Sequence, residues 1–323
     1  MAVPLHKRLK RAVRSALLRA AIRLLARLPL RPALALGAAA GRLAWIVAPR
    51  QRRLMLEHLA LAFPERSAEE RGAIARASLV HLGQVAMEVV TARRNVPRIE
   101  EYVSFAPGAE DLLRRAMARG EGVIYVAGHI GNWELMARRL AVVAQPNAVI
   151  ARRNADERLN RLVEQFRREG GNATLWREDP ATGRALIKLF REGGGLGILI
   201  DQDTRVQGVF VPFFGRLAYT PRAVGDLALR FGATVLVGTA RRRGPRAGDG
   251  HEIDVVEIPY DPDPPDREAE VLRITAAAVK VQEGAIRRAP PEWVWMHRRW
   301  KTRPPGECSL ASGMPKSRDL SDT

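Results

Sequence analysis

Val123-Ile-Tyr-Val-Ala-Gly-His129-Ile-Gly-Asn-Trp-Glu134-Leu-Met136 decides how the rest of the chain reads. The apolar run Val123 to Ala127 has β character, and it empties into a glycine-containing turn followed by a helical pattern. Strand, sharp turn and helix start form a common place for α/β proteins to put chemistry. Gly128 and Gly131 tolerate tight backbone geometry, and Gly131 caps the coming helix with Glu134 at its third position, as in a capping box. Residues five apart on a regular helix point about 140° apart, so a His129–Glu134 contact requires His129 to precede the helix. Two readings follow. His129 is a general base whose tautomer Glu134 fixes, or it is a turn histidine satisfied by backbone beside a capping glutamate.

Working outward, strand-like runs of four to six residues alternate with longer helical ones after Pro97. Strands are expected at Val123–Ala127, Ala148–Ala151, Thr174–Trp176, Leu196–Asp201, Thr234–Thr239, His251–Ile258 and Trp293–His297. Helices are expected at Trp133–Val143, Ala155–Glu169, Ala181–Arg191, from Thr220-Pro221 (N-cap and first helical residue) to Arg230, and at Glu268–Ala289. Before Pro97 the chain reads as helical. One helix carries Met55, Leu59 and Ala62 and stops at Pro64; the next opens at Ser67-Ala-Glu-Glu70 as a capping box. His81 falls in the apolar stripe of that second helix and reads as a packed histidine. The fold class is α/β: a mixed, mostly parallel central sheet flanked by helices, with a helical, basic, membrane-associating N-terminal region. The organisation expected is 1–48 for that region, 49–303 for the catalytic domain and 304–323 for a polar, disordered tail.

Lys and Arg number 53 against 35 acidic residues, a net charge of +18, so an anionic partner is expected. The first Asp or Glu is Glu57. Lys7, Arg11, Arg19, Arg23 and Arg27 share a four-residue register and make a basic stripe on a helix that Pro29 ends. The uncharged apolar stretch Pro32–Gly41 is ten residues long, short of the roughly 20 a spanning helix needs, so surface association is expected instead. Each basic residue near an anionic leaflet adds about 1 kcal/mol. A nucleic-acid-binding module is the competing class, but aromatic residues are 6% of the chain and no zinc-finger or RNP-like motif accompanies the charge; no nucleic-acid partner is expected. The single cysteine, Cys308, excludes a disulfide framework and fits a reducing compartment.

Ligands of open α/β sheets bind beyond the carboxyl ends of the strands. His129 and Glu134, Arg152 and Arg153, and Asp201 and Asp203 all fall at such ends. Asp-x-Asp admits a metal reading or a loop reading. Gly-x-Ser-x-Gly, the Walker Gly-x-x-x-x-Gly-Lys and His-Glu-x-x-His are absent, so His129 is expected to activate a substrate hydroxyl directly, which points to transfer onto an alcohol. Val209-Phe-Val-Pro-Phe-Phe-Gly215 reads as an apolar loop, a wall for an alkyl chain or ordinary core. Trp293 to Lys301 mixes tryptophan with arginine, as at a membrane interface or a phosphate-bearing headgroup, or as a solvated edge strand.

With these blocks in order, the chain from about Arg50 to Pro305 resembles the lysophospholipid-acyltransferase-like superfamily, specifically the lipid A lauroyl/myristoyl acyltransferases. His129-Ile-Gly-Asn-Trp-Glu134 is similar to the family's His-x-x-x-x-Asp/Glu motif. Arg152-Arg-Asn154 is similar to its Arg-Pro-Asn block, with Arg153 in the proline's place. Asp201-Gln-Asp203 with Gly208–Gly215 is similar to the third block, and Trp295-Met-His-Arg-Arg-Trp300-Lys-Thr-Arg-Pro304 to the C-terminal signature. Gly238 stands in a strand where many relatives place proline.

The resemblance implies an acyltransferase that takes a fatty acyl chain from an acyl carrier protein thioester to a hydroxyl of a lipid A precursor, at the cytoplasmic face of the inner membrane. Anionic membrane lipid is then a further partner, and a related acyltransferase acting on another glycolipid or phospholipid is the alternative. On this reading His129 is the base and Glu134 its orienting carboxylate. Arg152 binds phosphate or the oxyanion. Asn154, Asp201, Asp203, Phe213, Phe214, Arg298 and Arg299 complete the substrate site, and neither metal nor cofactor is required.

Overall fold

The computed structural model describes residues 20–154, 156–244 and 246–306. Of the expected basic helix, residues 20–25 are helical; its earlier part and the tail from residue 307 lie outside the described residues. After Pro29 the helix α1 runs Leu30–Val47, and α2 follows over Pro49–Ala62 with proline in its first turn. The helix α3, Ala68–Asn95, opens with the expected capping box: Glu70 N donates to Ser67 Oγ at 3.1 Å and Ser67 N donates to the Glu70 carboxylate at 2.7 Å. Both α1 and α3 are long and apolar enough to cross a membrane by length and composition. The ten-residue uncharged stretch Pro32–Gly41 lies within the longer helix α1. Arg31 and Arg42 interrupt the apolar run but not the helix, because arginine is a good helix former.

The remaining elements are α4 (Ile99–Tyr102), β1 (Val103–Phe105), α5 (Ala109–Ala118), β2 (Val123–Ala127), α6 (Trp133–Val143), β3 (Asn147–Ala151), α7 (Glu157–Glu169), β4 (Asn172–Trp176) and α8 (Thr182–Arg191). They continue with β5 (Gly195–Leu199), β6 (Gly208–Phe213), β7 (Arg216–Pro221), α9 (Ala223–Phe231), β8 (Thr234–Arg242), β9 (His251–Glu257), α10 (Arg267–Arg288) and a 3-10 turn, Pro290–Glu292. Seven strands form one sheet in the order β1-β9-β8-β2-β5-β3-β4. The run from β8 to β4 is parallel, β9 is antiparallel to β8, and β1 is parallel to β9. This is the mixed, mostly parallel sheet that the alternation of elements predicts.

Side chains alternate faces along a strand, so β2 feeds two cores. Ile124 and Val126 pack with Leu196, Ile198, Val235 and Ile274 on one face. Tyr125 and Ala127 pack with Leu135, Met136 and Leu236 on the other. Both faces are covered, so β2 is apolar throughout rather than alternating.

Three local expectations are corrected, and one strand, β1, has no counterpart in the sequence reading. Val209–Phe213 is a strand of the β6–β7 hairpin rather than a loop; Phe214 and Gly215 form its turn, both with positive φ (51° and 72°), the geometry that two-residue hairpins favour. Thr220 and Pro221 close that hairpin against Val209 and Gly208 instead of opening a helix, and α9 starts at Ala223. Trp293–His297 is not a strand. It is a turn-rich segment with one antiparallel bridge, Ile130 to Trp293, and the consecutive residues Trp293, Val294 and Trp295 are all buried, which strand alternation next to a solvated face would not give. The edge strand β1 is three residues long, too short to leave a period in the sequence.

α1 meets α3 through glycine. A Cβ at Gly37 would fall on the carbonyl of Gly83, and one at Gly41 on the carbonyl of Leu79. The two backbones touch as in small-residue helix pairs. Gly83→Val should therefore separate α1 from α3 and cost about 1–3 kcal/mol as overpacking, read as a lower melting temperature in detergent. Gly284→Ala, where the added carbon meets only the Arg288 side chain at 3.7 Å, should leave it unchanged or raised.

Candidate active site

β2 delivers His129 to the carboxyl edge of the sheet, and β5, its hydrogen-bonded neighbour, delivers Asp201 to the same edge. Ala127 pairs with Leu199, so the two loops leave the sheet side by side. Gly128 allows a close approach there: a Cβ on it would press on the Asp201 carboxyl at 3.2 Å. Gly131 has φ +60° and lies against the backbone carbonyl of Ala240. Below the turn, Gln282 Nε2 donates to Ala127 O at 2.8 Å and ties the end of β2 to α10.

Asp201 grips His129 twice. The backbone N–H of His129 donates to Oδ2 at 2.7 Å, and ring Nδ1 lies 2.9 Å from Oδ1. Trp293 Nε1 donates to Oδ2 at 2.9 Å. Burial by itself would raise the Asp201 carboxyl; the His129 ring and the surrounding N–H donors outweigh it and hold the group well below the usual carboxylate range. An ionised carboxylate only accepts, so Nδ1 carries the hydrogen and Nε2 keeps its lone pair. Asp201 is 1% exposed and His129 21%, so the pair is anchored in the protein and open at the ring.

Three side chains frame the ring. Trp133 stands edge-on with centroids 4.8 Å apart, and His297 edge-on at 4.9 Å. Gln202 Nε2 lies 3.2 Å from Nδ1 and 3.1 Å from Nε2 of His129, and 2.7 Å from His297 Nε2. An atom equidistant from both ring nitrogens sits over the ring rather than along a lone pair. The in-plane lone pair of Nε2 is not consumed by it. Burial pushes the His297 imidazole down to about 4, with the neighbouring His129 acting in the same direction, so His297 is neutral at pH 7.

The expected His129–Glu134 contact is not the one formed. Asn132, not Gly131, caps α6: its Oδ1 accepts from Leu135 N at 3.1 Å. An amide side chain is a stronger cap than glycine, and it shifts the helix start by one residue. Glu134 then faces α7 and pairs with Arg167 through two hydrogen bonds, 2.6 and 3.0 Å, with both side chains 15% exposed.

The other sequence-derived residues separate into exposed and built-in groups. Arg152 is exposed beyond β3. Asn154 is locked to Asn160 through its backbone N–H and carbonyl. Asp203 accepts from Thr302 N and Oγ1 at 2.6 and 3.0 Å and fastens the C-terminal segment, so it does not join Asp201 at the histidine. Phe213 and Phe214 are 1% and 5% exposed inside an aromatic cluster with Trp293, Trp295 and Trp300, so they are core rather than a wall. Arg299 is fully buried and donates to Tyr219 O and Thr220 Oγ1; Arg298 is exposed. His81 is a buried helix histidine, as expected, with Nε2 3.3 Å from Gly131 O. Gln202 and His297 were visible only as members of the third and C-terminal blocks, and nothing in their spacing announced a place at the ring.

An apolar slot lies between α6 and the sheet face that carries Tyr125 and Ala127. Trp133 lines it and also touches His129. Gly197 and Gly238 keep its floor low, and Asn147 and Asn172 line its other end. The arrangement is a histidine of fixed tautomer beside a small apolar cavity.

The model of the family described as bacterial lipid A biosynthesis acyltransferase matches residues 5–302. The lipid A biosynthesis lauroyltransferase of Escherichia coli K12 is 30% identical over 278 residues, 84% of this chain and 86% of its own. The lipid A biosynthesis palmitoleoyltransferase of the same strain is 27% identical over 85% of this chain and 87% of its own. A phosphatidylinositol mannoside acyltransferase of Mycolicibacterium smegmatis is 27% identical over 131 residues, 39% of this chain and 42% of its own. The chain belongs to the bacterial lipid A biosynthesis acyltransferase family, and it is an acyltransferase.

Proposed function

We propose that the protein transfers a fatty acyl chain from an acyl carrier protein thioester to a hydroxyl of a lipid A precursor, at the cytoplasmic face of the inner membrane. The observation that carries the chemistry is the double grip of Asp201 on His129, which leaves the in-plane lone pair of Nε2 unused by Asp201 and the side chain partly exposed. His129 Nε2 takes the proton of the acceptor hydroxyl as its oxygen attacks the thioester carbonyl. The tetrahedral intermediate collapses, the C–S bond breaks, and the carrier thiolate leaves with the proton returned by His129. Asp201 holds the tautomer before attack and stabilises the imidazolium after it. Glu134 supports the site at one remove by tying α6 to α7. The slot beside Trp133 takes the acyl chain. The exposed Arg152 and Arg298 are the groups suited to acceptor phosphate.

The partners follow from charge and surface. A net charge of +18 suits an acidic carrier protein and speeds its association. Leu36, Leu43, Ile46 and Val47 of α1 are exposed, with exposed Arg50 and Arg53 just beyond, which suits an interfacial helix on an anionic leaflet. The likeness to a phosphatidylinositol mannoside acyltransferase supports a second reading, the same transfer onto another phosphorylated glycolipid.

A panel of acyl carrier thioesters and lipid acceptors, read by product mass, tests the function; transfer to no lipid A precursor would refute the acceptor. His129→Ala should lower kcat/KM by about 10²–10⁴. Asp201→Asn should lower kcat comparably, whereas Glu134→Gln should act mainly on thermal stability; equal kcat losses would refute Asp201 as the orienting carboxylate. Asp201 titrates below its unfolded value, so its contribution to stability is fully present above the ordinary carboxylate range and lost as pH falls from there through the lowered folded value. Acid unfolding of Asp201→Asn should accordingly be less steep below about pH 4. Gly238→Leu should fill the slot against Met136 and shift preference to shorter acyl chains, read from competing donors. Removal of residues 1–28 should lower recovery on anionic vesicles, with salt weakening what remains.

A further inference from the structure

Behind the catalytic turn lies a buried charged cluster that the transfer chemistry does not use. Glu88, on α3, is 0% exposed. Its Oε1 accepts from Tyr102 OH at 2.9 Å and Arg242 Nη1 at 2.8 Å. Its Oε2 accepts from Asn132 Nδ2 at 2.8 Å and lies 3.0 Å from His251 Nε2. Asn132 is three residues from His129 and caps α6 with its other amide atom. The same wall holds Gly131: its N–H donates to Glu292 O at 2.9 Å, and its carbonyl lies 3.3 Å from His81 Nε2. The ring Nδ1 of His81 is in turn 3.3 Å from Arg242 Nε, and Arg242 N donates to the Glu292 carboxylate at 3.2 Å.

Stability alone does not account for this cluster. A buried ion pair is commonly no better than packed hydrophobic groups of the same volume. Here Arg242 Nη2 and His251 Nδ1 are also buried without a hydrogen-bond partner among the described residues, and such groups cost stability. What the cluster does achieve is geometric. Asp201 fixes residue 129, and the Glu88 cluster fixes residues 131 and 132.

We propose that Glu88 is a positioning residue for the acyl transfer: through Asn132 it clamps the turn that aims His129, making α3 part of the active site's scaffold. The proposal rests on His129 being the base. It also joins the membrane-facing α1 to the chemistry, because α1 lies glycine against glycine on α3. Glu88→Gln is the sharpest change. Each carboxylate oxygen meets two donors, so an amide NH2 in either place faces two groups that cannot accept from it in their present roles. Asn132→Ser is the milder one, since serine still caps a helix but is too short to keep the reach to Glu88.

The test is steady-state kinetics of both single variants and the double variant in detergent. The expected result is a fall in kcat of about 10²-fold for Glu88→Gln, with KM for donor and acceptor within about twofold, as for a misplaced catalytic group. Asn132→Ser should lower kcat in the wild-type background and add nothing in the Glu88→Gln background. The low-field proton resonance of the His129–Asp201 hydrogen bond, assigned by its loss in Asp201→Asn, should broaden in Asn132→Ser. That measurement decides the matter if Glu88→Gln does not fold. Wild-type kcat in folded Glu88→Gln, additive losses in the double variant, or an unchanged resonance in Asn132→Ser would overturn the proposal. Full activity of His129→Ala would overturn both this inference and the reading beneath it, whereas an inactive His129→Ala with unaffected Glu88 and Asn132 variants would overturn this inference alone.

Discussion

A fully buried carboxylate holding one histidine by both its backbone and its ring is the constraint around which the site is built. Asp201 satisfies the ring Nδ1, the His129 amide and the Trp293 indole at once. A charge so deep is tolerable only because every oxygen is paired. The pairing dictates much else: β5 must lie beside β2, Gly128 lets the Asp201 carboxyl come close, and Trp293 must be buried. The C-terminal segment is fastened for the same purpose, by Thr302 on Asp203 and by Arg299 on the β6–β7 hairpin.

Glu88, a second buried carboxylate, has the same character at the end of the turn where α6 begins. Both lie below the ordinary carboxylate range although burial opposes this, and both owe it to a histidine partner first and to further N–H donors after it. Each costs desolvation and offers rigidity. On the proposed role of His129 as base, that exchange is favourable, since small displacements of catalytic groups cost large factors in rate. The apolar slot under α6 follows from the same geometry, because the helix that carries Trp133 toward His129 also roofs the sheet face.

Much of the fold was legible. Val123–Ala127, Thr234–Thr239 and His251–Ile258 declared themselves as strands by apolar runs or alternation, and Ser67-Ala-Glu-Glu70 marked a helix start by its capping chemistry. The failures share a cause. Phe214-Gly215 is a hairpin turn despite a phenylalanine in the left-handed region, because its amide donates to the Glu283 carboxylate at 2.6 Å and its ring packs on Phe63. Trp293–His297 imitated a strand because tryptophan and valine favour sheets, whereas its indoles were committed to Asp201 and to Pro290 O. In each case a distant partner overrode a local preference.

The sequence by itself determined the alternation of strands and helices, the basic and apolar N-terminal half, the position of His129 in a strand-exit turn, and the blocks that mark the family. It did not determine which carboxylate serves the histidine. Glu134 is five residues away and Asp201 is seventy-two, yet the nearer one faces Arg167 once Asn132 starts the helix, and the farther one arrives because β5 lies beside β2 in the sheet. Strand order brings loop ends together regardless of separation along the chain, and helix phase turns neighbours apart; both are properties of packing, so only the tertiary structure decided them.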